Sequence, residues 1–280
     1  MDRSLCPVPR RVGIVHKKVA PEAAACAAAA AQYLRSRGLE VLLDEDEVAR
    51  DADLVLVLGG DGTLIHAVTM LQGRAVPILG VNMGSLGFLT EVPQSELYQA
   101  IELVLSGRAE LSARMKLRVH LHRGGDPQAK EVDAEVLNDA VIAKGTLSRM
   151  AEFEATFNGD LVGRYRADGI IVSTPTGSTA YCLAANGPIL YPSMRGVVIA
   201  PICPHTLTQR PLVLPDDETV NIVLLSASEV YLTLDGQSNV QLRQGDRVQV
   251  KQSPNRVLLV RNPQIDYFGI LRAKLRWGAR

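Results

Sequence analysis

Leu54-Val55-Leu56-Val57-Leu58-Gly59-Gly60-Asp61-Gly62-Thr63-Leu64-Ile65-His66 is the stretch that decides the fold of this chain. Five apolar residues in a row, all Val or Leu, predict a strand buried on both faces. Three glycines, an aspartate and a threonine follow. Apolar residues then resume at helical spacing: Leu64, Ile65, Val68 and Leu71. A strand, a glycine-rich turn and a helix start form a phosphate cradle. Gly59, Gly60 and Gly62, with Thr63 beside them, let backbone N–H groups approach phosphate oxygens without a Cβ in the way. The loop carries a carboxylate at its centre, and the chain has neither G-x-x-x-x-G-K-[ST] nor G-x-G-x-x-G. An aspartate facing phosphates is repulsive unless a metal ion offsets it or it accepts a proton from an attacking hydroxyl. The alternative is that Asp61 caps the following helix, and the two roles are compatible.

Outward from that stretch, strands alternate with helices. Val12–His16 reads as a strand, Pro21–Arg37 as a helix, and Leu39–Leu43 and Leu54–Leu58 as strands. Gly62–Leu71 reads as a helix, Val76–Val81 as a strand and Ser95–Leu105 as a helix stopped by Gly107. This alternation predicts an α/β domain with a parallel doubly wound sheet over residues 1–112. Ligands of such sheets sit beyond the carboxyl ends of the strands. Gly59–Gly62 and the second glycine-rich loop, Gly80–Gly87, both follow strands and belong at that end.

Lys+Arg and Asp+Glu number 30 each, so the formal charge is zero. No basic excess points to nucleic acid or to an anionic membrane surface. No apolar run reaches the roughly 18 residues a membrane helix needs. Ala20–Ala31 could be taken for a signal-peptide core, but Glu22 and the preceding strand make it an ordinary first helix. The four cysteines, Cys6, Cys26, Cys182 and Cys203, are scattered and form no C-x-x-C, which fits a reducing cytoplasmic location.

Beyond about Leu111 the pattern becomes β-rich. Met115–His122 alternates, and Gly124-Gly125-Asp126-Pro127 reads as a turn. Glu131–Ala143, Phe153–Phe157 and Leu161–Arg166 read as strands, the last two joined by an Asn158-Gly159 hairpin turn. Thr219–Leu225, Val230–Leu234, Arg247–Val250 and Val257–Arg261 are also β-like, with a possible helix after Thr179. The expectation is a β-rich, sandwich-like second domain over residues 113–261, with residues 262–280 returning to the first.

The run Arg166-Ala167-Asp168-Gly169-Ile170-Ile171-Val172-Ser173-Thr174-Pro175-Thr176-Gly177-Ser178-Thr179-Ala180-Tyr181 is dense in hydroxyls. Such a loop could hold a nucleotide, or Ser178 and Thr179 could cap a helix. Asn138-Asp139 reads as a turn or as a grip on sugar hydroxyls. Asp235-Gly236-Gln237 reads first as a hairpin turn.

Taken in order, Gly59–Thr63, Gly84–Leu89, Asn138-Asp139, Asp168–Tyr181, Pro204-His205-Thr206-Leu207 with Arg210-Pro211, and Asp235-Gly236-Gln237 resemble the motifs of NAD kinases. The resemblance spans about Val12 to Asp266. The GGDG element alone is shared with phosphofructokinases and lipid kinases, whereas the Asp168–Tyr181 run is specific. The resemblance implies transfer of the terminal phosphate of ATP, or of polyphosphate, to the 2′-hydroxyl of the adenosine ribose of NAD. It implies Asp61 as general base, and Asn138, Asp139, Arg166, Asp168, Thr176, Thr179, Ala180, Tyr181 and Gln237 around the dinucleotide. His66 and Arg149 occupy positions that contact ligand in some members; a helix-face His and a solvated Arg are the alternatives. Mg²⁺ or another divalent metal would be bound mainly through the phosphates, with no protein ligand assigned. A homodimer or homotetramer is expected on resemblance alone. The family usually has Asn-Glu where this chain has Asn138-Asp139, so one ribose contact is expected to become water-mediated. Two other classes remain: a lipid or sugar-phosphate kinase sharing the loop, and a non-catalytic NAD(P)-binding sensor.

Overall fold

The computed structural model describes residues 4–124, 131–146, 148–206 and 208–277. Of the expected turn at 124–127, residues 125–127 lie outside these, as does Leu207. The chain divides into two compact units, one made by residues up to Ala113 together with those from Val257 onward, the other by Arg114–Arg256.

In the first unit, strand Arg11–His16 pairs in parallel with Glu40–Leu42 on one side and Leu54–Gly59 on the other. Leu54–Gly59 pairs in parallel with Pro77–Asn82, and Leu258 and Leu259 pair in parallel with Pro77 and Ile78. Leu54–Gly59 and Pro77–Asn82 are buried at every position, as continuous Val/Leu runs require when both sheet faces are covered. Helices Pro21–Ser36 and Leu97–Leu105 pack on the face carrying Val12, Ile14, Leu56 and Leu58. Ala23, Ala27, Ala30, Ala31 and Leu34 form the buried stripe of the first of these helices, at the spacing of a single helix face. On the opposite face, a Cβ on Gly13 would come within 2.5 Å of Val48 Cγ1, so helix Glu45–Asp51 lies hard against the strand. This is the doubly wound sheet. Glu45–Asp51 is a helix that the periodicity missed; Asp44 caps it by accepting from Asp46 N and Glu47 N.

The second unit is built from antiparallel strands. One sheet runs Leu212–Leu214, Val197–Ile202, Gly169–Ser173, Asp139–Lys144, Val230–Leu234, Ser238–Leu242. The other contains Asp160–Ala167, Ala151–Phe157 and Val220–Leu224, and the paired strands Leu111–His122 and Val132–Val136. Val119, Leu121, Ile142, Phe153, Ile170, Ile222 and Leu232 belong to one buried core. The hairpin at Asn158-Gly159 has φ of 50° and 89°, the left-handed pair that a two-residue turn demands.

Two expectations are corrected. Glu131–Ala143 is not one strand: Val132–Val136 and Asp139–Lys144 belong to different sheets. The break falls at Leu137-Asn138, whose N–H groups turn to the carboxylate of Asp235. Arg247–Val250 and Val257–Arg261 are not separate; Arg247–Val260 is one strand of 14 residues. Gly169–Ser173, inside the hydroxyl-rich run, and Val197–Ile202 are fully buried strands that the sequence pattern did not single out.

Candidate active site

Asp61 is the first residue of helix Asp61–Met70, with Gly60 at the N-cap. Its side chain does not cap that helix. Oδ1 accepts from Leu89 N (3.1 Å), Thr90 N (3.1 Å) and Thr90 Oγ1 (3.1 Å), and Oδ2 accepts from Phe88 N (2.9 Å). The simple capping alternative is therefore set aside for this aspartate. Four donors hold its carboxylate at one place, and Oδ2 carries only one of them. A carboxylate has about four lone-pair positions, so the remaining acceptor capacity is on Oδ2.

The loop that supplies these donors is itself fixed. Asn82, buried at the end of its strand, accepts from Gly84 N (2.7 Å) and donates to Ser85 O (2.6 Å) and Thr90 Oγ1 (3.0 Å). Met83 N donates to Gly59 O (3.2 Å), tying the two glycine-rich loops together. Gly59 is adjacent to Asn82 in the parallel register, so both loops lie at the carboxyl end of the sheet. A Cβ on Gly87 would collide with Asp61 Oδ1 and Thr90 Oγ1. A Cβ on Gly60 or Gly62 would meet nothing within 4 Å, while Thr63 N and Leu64 N donate to Gly60 O (3.0 and 3.2 Å) and close the first turn. Thr63 packs under Gly59. Sequence reasoning placed the loop Gly80–Leu89 at this end but gave no role to Asn82 or Gly87 within it, and it missed Thr90 just beyond.

His66, on the same helix, is half-exposed, and its Nε2 lies 3.3 Å from Glu45 Oε2, while Glu45 Oε1 pairs with Lys18 Nζ at 2.8 Å. It is a helix-face histidine with an acidic neighbour.

The second unit gathers most of the remaining residues. Asp235 and Gly236 form the turn between Val230–Leu234 and Ser238–Leu242, with φ of 49° and 67°. The Asp235 carboxylate accepts from three successive backbone N–H groups, Leu137 (2.7 Å), Asn138 (2.7 Å) and Asp139 (3.0 Å). So the turn is also a buried anion nest that fixes Asn138 and Asp139. Thr174 Oγ1 donates to Leu137 O (2.6 Å), Thr174 N to Asn138 O (2.8 Å) and Ser173 Oγ to Asn138 O (3.3 Å). Gly177 lies so close to Asn138 that a Cβ would collide with its backbone. The hydroxyl-rich run thus divides. Ser173, Thr174 and Ser178 hold backbone, Ser178 through Pro175 O and Leu190 N. Thr179 Oγ1 donates to Thr176 O (3.2 Å), while Thr176 Oγ1 is buried without a partner among the described residues.

Asp139 is 4% exposed. Burial, and then the charge of Asp235, push its carboxyl up to about 7. Burial also raises Asp235, against the three N–H donors that lower it. Two carboxylates sharing a buried place hold a proton more readily than either alone. Asp168 pairs with Lys144 at 3.5 Å. Arg149, Arg166, Tyr181 and Gln237 are exposed, and Ala180 N donates to Gly177 O. Asp61 has one acceptor position left on its carboxylate, and no other His, Cys, Asp or Glu joins it in a metal-ligating cluster among the described residues, so the residues present fit an ion carried in by phosphates.

A family model described as the ATP-NAD kinase N-terminal domain matches residues 43–109, and one described as the ATP-NAD kinase C-terminal domain matches residues 137–262. The chain is 45% identical to an NAD kinase of Geotalea daltonii, over 97% of this chain and 100% of that protein. It is 51% identical to an NAD kinase of Geobacter metallireducens, over 89% of this chain and 87% of the other. Its fold matches yeast NADH kinase complexed with NADH at a TM-score of 0.89, with 26% identity over 97% of this chain and 89% of that one. It matches an Archaeoglobus fulgidus NAD kinase in complex with ATP at 0.74, with 24% identity over 94% of this chain and 99% of that one; at that identity the fold alone is shared.

Proposed function

The chain belongs to the NAD kinase family, and on that premise we propose how its residues carry the reaction. The protein is an NAD kinase, transferring the terminal phosphate of ATP to the 2′-hydroxyl of the adenosine ribose of NAD. Asp61 is the general base. One observation carries this assignment: its carboxylate is held by Phe88, Leu89 and Thr90 at a helix N-terminus between two glycine-rich loops, with acceptor capacity left on Oδ2. The ribose oxygen attacks the γ-phosphorus, its proton passes to Oδ2, and the bond to the ADP oxygen breaks. Gly59, Gly60 and Gly62 would offer backbone donors to the phosphates, with Thr63, whose own N–H donates to Gly60 O, beside them. Mg²⁺, bound with the nucleotide, would supply charge neutralisation.

Asn138, Asp139, Arg166, Asp168, Thr176, Thr179, Ala180, Tyr181 and Gln237 form the dinucleotide site. Support comes from the nest that fixes Asn138-Asp139 and from the unpartnered buried hydroxyl of Thr176. His66 and Arg149 are proposed as further ligand contacts. Free cysteines at all four positions support a reducing, cytoplasmic setting; no helix among the described residues is long and apolar enough to cross a membrane. A homo-oligomer is proposed from the family. Among the alternatives, a non-catalytic sensor would have no need of a rigidly held carboxylate at the phosphate loop.

The test is NADP formation from NAD, with ATP and polyphosphate side by side and with excess chelator in parallel. Turnover with ATP that collapses on chelation is the expected result. Undiminished turnover in chelator would overturn the metal's part, and turnover with polyphosphate would widen the donor class.

A further inference from the structure

Strand Leu111–His122 ends in Val119-His120-Leu121-His122. Successive side chains of a strand point to opposite faces. Val119 and Leu121 are fully buried in the core, which puts both histidines on the other face. The paired strand Val132–Val136 runs antiparallel, with His120 opposite Asp133 and Leu121 opposite Val132. Glu131, one residue beyond, reaches back to both rings. Its Oε2 lies 3.2 Å from His120 Nε2 and its Oε1 3.8 Å from His122 Nδ1. The two ring centroids are 4.4 Å apart. One ligand atom from each residue lies within 4.8 Å of the others. Asp133, on the same face, is already paired with Arg118 at 2.7 Å.

We propose that His120, His122 and Glu131 form a site for a borderline divalent transition metal, Zn²⁺ foremost, with a fourth position open to solvent. The set is two imidazole nitrogens and one carboxylate oxygen. Zn²⁺, Co²⁺ and Ni²⁺ favour such ligands, whereas Mg²⁺ and Ca²⁺ favour oxygen alone. The metal held here would therefore be a different one from the ion that accompanies ATP. Tetrahedral bonds of about 2.0–2.2 Å require donors roughly 3.3–3.5 Å apart. The present separations, up to 4.8 Å, would have to close by roughly 1 Å as the side chains rotate onto the ion.

A plain imidazole–carboxylate hydrogen bond accounts for His120 and leaves His122 unexplained. At 3.8 Å its Nδ1 is beyond hydrogen-bond reach of Glu131. Its other nitrogen, Nε2, is buried and has no hydrogen bond of full geometry among the described residues; the Gln249 side chain lies beside the ring and favours its protonated form. A metal on Nδ1 would leave Nε2 protonated and able to donate to that neighbour, the usual second contact of a ligating histidine. Arg247 brings a positive charge toward His122 and works against a cation; the Glu131 carboxylate offsets it. The bound ion would clasp the ends of two paired strands.

The experiment uses the full, untagged chain, stripped with chelator, in a Cys203→Ser background that removes the exposed thiol. Co²⁺ is titrated first, for its visible d–d bands, and Zn²⁺ then displaces it. The expected result is one equivalent of four-coordinate Co²⁺ without a thiolate charge-transfer band. His120→Ala and His122→Ala should each weaken Zn²⁺ binding by about tenfold or more, with Glu131→Gln also weaker. NAD phosphorylation at the parent rate certifies that each variant is folded. No uptake at millimolar metal, octahedral Co²⁺ only, or equal binding by parent and both histidine variants would overturn the site. Should either histidine variant fail to fold, the exposed Glu131→Gln decides: unchanged affinity there overturns it as well.

Discussion

Asp61 could be read from the sequence as the chemical centre of its loop, but its partners could not. Three of the four donors on its carboxylate are backbone N–H groups, and a backbone N–H leaves no mark in the residue alphabet. Their presence changes what Asp61→Asn should do. With Oδ1 retained by its donors, the amide nitrogen falls where Oδ2 was and faces the Phe88 N–H, donor against donor. We expect turnover to fall by about 10²–10⁴ and stability to fall by about 1–3 kcal/mol from the unsatisfied N–H, with NAD affinity kept. Turnover, NAD affinity and melting temperature should be measured together; near-parent turnover would eliminate the general base. Gly87→Ala tests the same placement without touching the carboxylate. A Cβ there must displace Asp61 or Thr90, so kcat should drop while NAD binding persists. An alanine variant with normal kcat would show that the position of Asp61 is not critical.

At the scale of elements, the break at Leu137-Asn138 is the least legible feature. The run Glu131–Ala143 has the apolar content of one long strand, and its one local signal of an interruption, Asn138-Asp139, reads equally as a ligand grip. Its cause lies about a hundred residues away, in the Asp235 nest. The hairpin turn at Asp235-Gly236 was legible from its residue types; the inward aim of its carboxylate was not. Helix Glu45–Asp51 was legible in principle, since Asp44 with Glu45, Asp46 and Glu47 spells a capped, acidic first turn, but with Val48 its one buried residue it shows no apolar period. The Asp139–Asp235 pair gives a pH prediction. The Asp139 carboxyl is held at about 7 in the fold and titrates near 4 when unfolded. The unfolded chain therefore gives up this proton first, and stability falls as pH rises from about 4 to about 7; below that window the penalty is absent, and above it the penalty is complete. Asp139→Asn should be close to neutral for stability at pH 4 and stabilising by up to about 4 kcal/mol at pH 8. Denaturant midpoints of both proteins across that range check it, and a difference that does not change with pH would refute the buried-charge account.

At the scale of the whole molecule, the chain leaves one compact unit after Ala113 and returns to it at Val257. Strand alternation marked the first half of that unit, while its last strand lay inside a run that reads as two short ones. The Arg114–Arg256 unit holds nearly all the residues assigned to the dinucleotide, and this makes ligand protection a test of their role. A ligand that binds only the folded state stabilises it by about 2.7 kcal/mol at a hundred times its Kd, or roughly 5–10 °C in melting temperature for a unit of this size. NADP, as the product, should produce such a shift. Hydrogen exchange should place the protection at the amides of residues 137–139 and 173–181, because those segments carry the proposed contacts and already share one network of backbone bonds. Asp61→Asn should keep the full shift, since Asp61 contributes chemistry and not dinucleotide affinity, whereas a charge-conserving change in the nest, Asp235→Glu, should reduce it by displacing Asn138 and Asp139. A melt that stays put at millimolar NADP would refute the site assignment in the second unit. A shift whose exchange protection lies elsewhere in the chain would relocate the dinucleotide and leave the hydroxyl-rich run as scaffold alone.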